Sequence, residues 1–419
     1  MCFKFLWKNS NDKIKRNIIT QEYKHGGLKM IEVKTFMQSL KLTWLRRLTL
    51  ATSNEKFINV VEASCPSIKH IFKFSSDYIK LKLRQEQNLF WKDVMNSYLI
   101  LTLKTSPKND IQCYSTNIWY NPDIKVGGSS VCYKRWIAAG VVFLGDLINS
   151  QSEFYTYTDF INTYNINTNF IEYNGFIAAI KRFMTEKNIH YLPIKTFNIP
   201  QPLPIALINE HTKGCKLIYR QILNSQESPR SLQKWKNDLT SLQDQSTNAL
   251  VNEPIYEKVF KITKDPKLIW FQFRLNHRIL GTNYLLKKMN IVADETCTFC
   301  KNSPETLLHL FWNCEVSKQF WTQLFNFIKS KCDVNMVKWN AYEVLFGRHN
   351  QDKCVGSILL QAKYFLYYNR TNKQLPSIEL FKKHMVSYHQ TERYNALKCF
   401  QITKFEALWE KYKNLFTIV

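Results

Sequence analysis

The sequence predicts a mainly α chain: a helical multi-subdomain assembly with few short strands and one small knuckle of cysteine and histidine. Three observations predict it. Apolar residues recur at three- and four-residue spacing through most of the 419 residues, the mark of amphipathic helices. Gly and Pro together number only 23, 11 and 12, so helix breakers are few. Hydrophobic residues make up 45 % and aromatics 14 %, too many for a disordered or collagen-like chain. The length is a soft prior for two or three domains.

The elements follow in order. Residues 1–50 open on the basic, aromatic stretch FKFLWKNSNDKIKR, and Gly26-Gly27 then marks a turn that permits positive φ. A helix follows, with Phe36, Leu40, Trp44, Leu45 and Leu48 at helical spacing. Arg46 and Arg47 near its end suit the helix dipole. Residues 55–105 read as helical with breaks, including an amphipathic stretch from Tyr78 to Leu101. Residues 106–130, with Pro107, Pro122, Gly127 and Gly128, read as a loop with short strands. An apolar segment begins at Trp136, a polar turn falls at Ser150 to Glu153, and helices are expected at Tyr157–Tyr164 and Tyr173–Met184. Pro193, Pro200, Pro202 and Pro204 make residues 193–206 the most linker-like segment and a boundary.

Beyond it, Gly214 to Leu223 suits a strand or a short helix, and Ser231 to Asp244 a helix. The pattern is strongly helical from Tyr256 through Met289. After a cysteine cluster at 290–315, helices are expected at 315–330, 352–369, 376–390 and 391–415. The chain divides into four segments, 1–105, 106–205, 206–335 and 336–419.

Lys and Arg number 58 against 33 Asp and Glu, a formal charge of +25. Such a surface favours a polyanion, because each neutralised phosphate releases counterions. A basic surface that serves only solubility is the alternative. A membrane is the weaker partner. The longest apolar run, Trp136 to Ile148, has 13 residues and includes Asp146, whereas a bilayer span needs about 20. Neither end carries a lipidation signal, and MCFKFLWKNS is too short in apolar residues for a secretory leader. The expectation is an intracellular chain, nuclear or cytoplasmic. Cys2, Cys65, Cys113, Cys132, Cys215, Cys332, Cys354 and Cys399 show no spacing logic, and an odd total of 11 argues against a disulfide framework.

The sharpest motif is CTFCKNSPETLLHLFWNC. Cys297, Cys300, His309 and Cys314 form C-x2-C-x8-H-x4-C. Structural zinc takes four S or N ligands in a tetrahedron, and a C-x2-C turn lets two thiolates face one ion. Ser303 with Pro304 after it reads as a helix start that carries His309. Cys314 would lie about 140° around an ideal helix from His309, so that helix should distort or end near Asn313. The alternative is two thiols near an ordinary core histidine. With all four positions filled, the expected role of Zn2+ is structural.

Two basic stretches accompany it. Residues 258–288 hold eight Lys or Arg and one acid, Asp265, with Trp270, Phe271 and Phe273 interleaved. Basic grooves with stacking rings hold single strands. Yet Trp270, Phe273, His277, Leu280 and Tyr284 also recur as a core stripe. The aromatics are read as core and Lys261, Lys264, Lys267, Arg274 and Arg278 as phosphate contacts. Residues 1–48 carry 11 Lys or Arg against three acids, and Lys13, Lys15 and Arg16 around Ile14 suggest a second edge. A solvated charged face is the alternative. No Asp-Asp dipeptide occurs, and no P-loop, dinucleotide, nucleophile-elbow or zincin motif. His25 reads as a turn residue.

Together these residues resemble a known family. FLWKNSNDKIKRNIITQEYKHGGLKMIEVKTFMQSLKLTWLRRL resembles the stretch after the palm in LINE-type non-LTR retrotransposon reverse transcriptases. There an FxW segment precedes a basic stretch and a GGLxxxD-like motif, whose acid appears here as Glu32. WFQFRLNHRILGTNYLLKKMNI with the C-C-H-C cluster resembles the zinc-binding region of the same proteins, and AAGVVFLGDLINSQSEF looks like the intervening region.

The resemblance implies the end of a thumb, a connector and a zinc-bearing C-terminal domain that grip template RNA and target DNA. The polymerase and endonuclease domains of the same polyprotein would lie upstream as partners. Cys297, Cys300, His309 and Cys314 match the zinc positions. No catalytic residue carries over, so the chain itself is expected not to be an enzyme. The alternative is a domesticated or decayed remnant that serves protein–protein contact.

Overall fold

The computed structural model describes residues 6–7, 10–50, 55–105, 107, 109–190, 201–210, 215–223, 227–242, 255–332, 339–348 and 352–416. They are mainly α-helical, and a single hairpin is the one sheet among them. None of the described helices is long and apolar enough to cross a membrane. The chain forms two compact units: Ile31–Asn224, and a discontinuous one made of Met1–Met30 with Ser225–Val419.

In the unit of residues 31–224, α1 (Val33–Leu50) packs with α4 (Leu89–Lys104) and α8 (Lys216–Leu223). The Glu32 carboxylate accepts from the amides of Thr35 at 2.6 Å and Lys34 at 3.3 Å, capping α1. Burial works to raise the Glu32 pKa, but these bonds and the Lys34 charge hold it below the ordinary value. The acid of the GGLxxxD-like motif is therefore a helix cap here. Leu42, Leu45, Ile79, Val94, Met95 and Ile218 fill the core between these helices.

Two further helices line this core, α2 (Glu55–Ser64) and α3 (Ser76–Gln85), while α7 (Leu203–Asn209) packs on α1. The amphipathic stretch expected over Tyr78 to Leu101 is broken at residues 86–88, where Asn88 caps α4 by accepting from the Phe90 and Trp91 amides.

A second core in this unit is aromatic. Trp119, Trp136, Phe160 and Phe176 are fully buried, and Trp119 stacks on Phe176 at 5.0 Å. Around them lie α5 (Tyr157–Tyr164), α6 (Phe170–Glu186) and the hairpin β1 (Lys125–Val126) with β2 (Ser129–Ser130). Gly127 and Gly128 both take positive φ, as a two-residue hairpin turn requires. Residues 193–200 of the proline-rich segment lie outside the described residues, as do Gly214 and Cys2. Residues 216–223, which suited strand or helix, are helical.

In the other unit, α9 (Arg230–Thr240), α10 (Lys258–Ile262), α11 (Pro266–Asn276) and α12 (Asn283–Lys288) precede the cysteine cluster. The strongly helical pattern from Tyr256 through Met289 is carried by three short helices, α10, α11 and α12. Asp265 with Pro266 starts α11, and Arg278 takes positive φ after it. Then come α13 (Glu315–Lys331), α14 (Ala341–Phe346), α15 (Lys353–Thr371), α16 (Ile378–Lys398) and α17 (Ile402–Trp409). α16 crosses the break expected at residue 390 and ends before Phe400, which has positive φ.

Residues 10–30 pack onto α11. Ile14, Ile18 and Ile19 share a core with Trp7 and Phe273. Gly26 takes φ +83°, and a Cβ there would meet Pro229 Cγ at 2.7 Å. A Cβ on Gly27 would lie 1.9 Å from the Gln21 carbonyl oxygen. His277 Nε2 sits 2.8 Å from the Gly26 carbonyl. Residues 1–30 and 31–105, one segment in the sequence reading, therefore fall in different compact units.

Candidate metal centre

The backbone builds the cysteine knuckle before any side chain acts. The Cys297 amide donates to Ser303 O at 2.8 Å, and the Glu305 amide to Glu295 O at 2.7 Å. Thr296 and Pro304 pair across this small loop, and Lys301 takes positive φ at its tip. Pro304 is thus extended, not the first helical residue. The helix begins at Leu307, and Thr306 caps it by accepting from the His309 amide at 3.0 Å. The start expected at Ser303-Pro304 is corrected by three residues, because the knuckle uses Ser303 and Pro304 as its return strand.

The distortion expected before Cys314 is a π-turn over His309–Asn313. The Cys314 amide donates to His309 O at 2.8 Å, the i→i+5 bond that defines it. Five residues then come round to the same side. Cys314 ends the turn as N-cap of α13.

The four sequence-predicted ligands converge. One donor atom each from Cys297, Cys300, His309 and Cys314 lies within 4.8 Å of all the others. Cys297 Sγ is 3.8 Å from Cys314 Sγ, and Cys300 Sγ is 3.3 Å from His309 Nε2. Tetrahedral zinc with Zn–S near 2.3 Å sets sulfurs about 3.8 Å apart. Cys297 and Cys314 are fully buried.

The local field favours the thiolate at one cysteine of the buried pair, Cys314. Cys314 is held below its ordinary thiol value, first by the thiol of Cys297, then by the amides of Ser317 and Val316 and by His309. Cys297 is pushed up as the proton-holding partner of that bond, and by burial, while the amides of Cys300 and Phe299 pull it down. A cation that displaces the shared proton meets three soft sulfurs and an imidazole, a donor set that fits zinc.

Sequence reasoning missed the buttress beneath this centre. Glu305 is fully buried and accepts from the Thr298 amide at 2.7 Å and the Asn283 amide at 2.9 Å. Arg370 of α15 pairs with it at 2.7 Å and donates to Asn283 Oδ1 at 2.6 Å. Asn283 Nδ2 donates to Thr296 O at 2.7 Å. Glu305 is visible in the sequence as the acid after Pro304. Arg370 is 65 residues away and gives no local signal.

The residues predicted to contact phosphate differ in exposure and pairing. Lys261, Lys264 and Lys267 are exposed around the start of α11, with Lys261 3.2 Å from Glu257. Lys267 lies over Tyr364 at 5.0 Å, and Tyr364 raises its pKa. Arg274 is half-buried, with Nε making no hydrogen bond. Arg278 is bound to Asp238 at 2.6 Å and stacked on Trp235. Lys13, Lys15 and Arg16 are exposed, with Lys15 2.9 Å from Glu227 and Arg16 2.7 Å from Asp12. Phe271 and Phe273 are buried, and half-buried Trp270 stacks on Phe273 at 5.4 Å, so these rings pack inward.

Residues 239–321 match a family model described as zinc-binding in reverse transcriptase. The match spans the knuckle, the π-turn and all four ligands, and it supports a reverse-transcriptase-related C-terminal region. Among curated proteins none matches the chain.

Proposed function

We propose that this chain is a zinc-stabilised, nucleic-acid-binding C-terminal part of a LINE-type non-LTR retrotransposon reverse transcriptase. The observation that carries the reading is the Cys297–Cys300–His309–Cys314 cluster within the matched zinc-binding segment. Zinc ties the knuckle to the start of α13, and with four protein ligands it has no open position for substrate. Its role is to hold shape. Lys261, Lys264 and Lys267 reach phosphate near α11, and Lys13, Lys15 and Arg16 form a second edge on the same unit. Such contacts position RNA or DNA without reading sequence.

The polymerase and endonuclease of the same polyprotein supply the chemistry, and this chain has none of its own. Support for that comes from the absence of adjacent aspartates in the sequence. Metal analysis should give about one zinc per chain. Binding of single-stranded RNA should fall steeply between roughly 50 and 200 mM salt. Primer extension by the purified chain with magnesium or manganese would refute the non-catalytic reading. Salt-independent binding would favour a protein-contact module.

A further inference from the structure

In the unit of residues 31–224, α1 buries one face and shows another. Thr35, Ser39, Leu42 and Leu45 point inward and are buried. On the other side Val33, Met37 and Leu40 are 59 %, 47 % and 38 % exposed, and Trp44 is half-buried. Positions 33, 37, 40 and 44 step by four, three and four, the spacing of a coiled-coil seam. The strip continues onto α4, where Phe90 meets Trp44 edge-on at 5.3 Å and Leu89 is 78 % exposed. Single exposed apolar side chains are ordinary, but a continuous strip marks an interaction site.

The margin of the strip is net positive, and its two acids are engaged, Glu32 by the α1 amides and Asp93 by Lys41. α1, VKTFMQSLKLTWLRRLTL, holds four cations and no acid. Lys34 stands beside Val33 and one turn from Met37. Lys41 stands beside Leu40, and Arg47 lies over the Trp44 ring at 4.2 Å. Lys92 is exposed one turn on from Leu89. The single carboxylate of α4, Asp93, is taken by Lys41.

We propose that this strip docks an acidic amphipathic helix of a partner protein, with aliphatic side chains in the seam and Glu or Asp along its flanks. Nucleic acid fits less well, because Val, Met and Leu side chains offer phosphate no donors and gain nothing against a hydrated backbone. A second copy of this chain fits less well too, because it would bring a like-charged margin against this one.

The test uses the full chain and a fluorescein-labelled synthetic helix of three heptads, with Leu at a and d and Glu at e and g. Anisotropy should show saturable binding, at least tenfold tighter than for the same peptide with Lys at e and g. Met37→Asp with Leu40→Asp should weaken binding at least tenfold. Val33→Asp, at the end of the strip, should weaken it severalfold and serves if the double variant fails to fold. No binding of the acidic helix overturns the proposal. So does equal binding of the Lys peptide, which means apolar adhesion, or of a scrambled acidic peptide, which means charge alone. Dimerisation, or binding of a short RNA duplex, that is lost in the double variant also overturns it and assigns the strip to that occupant.

Discussion

The cysteine knuckle and the amino-terminal segment are fixed in the same unit by opposite means. The knuckle draws its four ligands from the 18 residues between Cys297 and Cys314, and short backbone bonds bring them together. The segment of residues 10–30 is held across the chain. Gly26 meets His277, 251 positions away, and Ile14, Ile18 and Ile19 pack against Phe273. Chemistry concentrated in one stretch leaves a spacing that can be read. Packing between distant stretches leaves only glycines and apolar residues, which fit many partners.

The widest break in this comparison should come from the metal. In zinc-finger peptides structural zinc supplies about 10–16 kcal/mol of apparent binding free energy. Chelation, or Cys297→Ser with Cys300→Ser, should therefore unfold the knuckle and the start of α13. Hydrogen exchange should rise over residues 296–320 and stay low over residues 16–26. A double variant that keeps full zinc would end the assignment.

Arg370→Ala should come next. The Glu305 carboxylate is fully buried, and removing its cation leaves an uncompensated charge, at a cost of about 3–5 kcal/mol. Urea unfolding measures the loss. Arg370→Lys should restore only part of it, since an ammonium cannot serve Glu305 and Asn283 in one plane. Zinc affinity should fall in the Ala variant, because Thr298 and Asn283 orient the loop through the same carboxylate.

The amino-terminal segment should respond to its own perturbations and leave zinc content unchanged. Gly27→Ala forces a Cβ onto the Gln21 carbonyl, a backbone atom that cannot swing away, and should cost about 3 kcal/mol by urea unfolding. His277 adds a pH test. Burial pushes its imidazole from 6.5 down to about 4, against the upward pull of the Gly26 carbonyl. The folded chain therefore takes up this proton less readily than the unfolded one. Its contribution is full above about pH 6.5 and is lost as pH falls toward 4, about 3 kcal/mol in all. Comparing urea midpoints of wild type and His277→Gln at pH 7 and pH 5 isolates that slope. Equal slopes would remove His277 as the titrating group.

Legibility follows the same division. The helix at Tyr157–Tyr164 was readable to the residue, because its period and its Thr156 cap are local. The Cys297, Cys300, His309 and Cys314 cluster was readable from spacing, and a distortion or end of its helix near Asn313 from the 140° mismatch at Cys314. The cap at Thr306 was not, because Ser303-Pro304 is an equally good local signal until the return strand claims it. The burial of Arg278 against Asp238 and Trp235 was not either, since charge in a sequence does not say which cations are already paired.

The smallest effect on folding, and the sharpest on binding, is expected from Lys261, Lys264 and Lys267. All three are exposed; Lys261 lies 3.2 Å from Glu257, and Asp265 acts on Lys267. Exposed pairs of this kind are worth about 0–1 kcal/mol, so the triple Ala variant should melt within a few degrees of wild type. If each lysine neutralises one phosphate, the slope of log affinity against log salt should fall by up to about three units. The same changes at Lys13, Lys15 and Arg16 should do less, because Glu227 and Asp12 already neutralise two of those charges at 2.9 and 2.7 Å. Equal slopes for the two triple variants would mean that phosphate strips those carboxylates away. An unchanged slope in the first variant would move the contact off α11 and leave the knuckle as the only part of this unit with an assigned role.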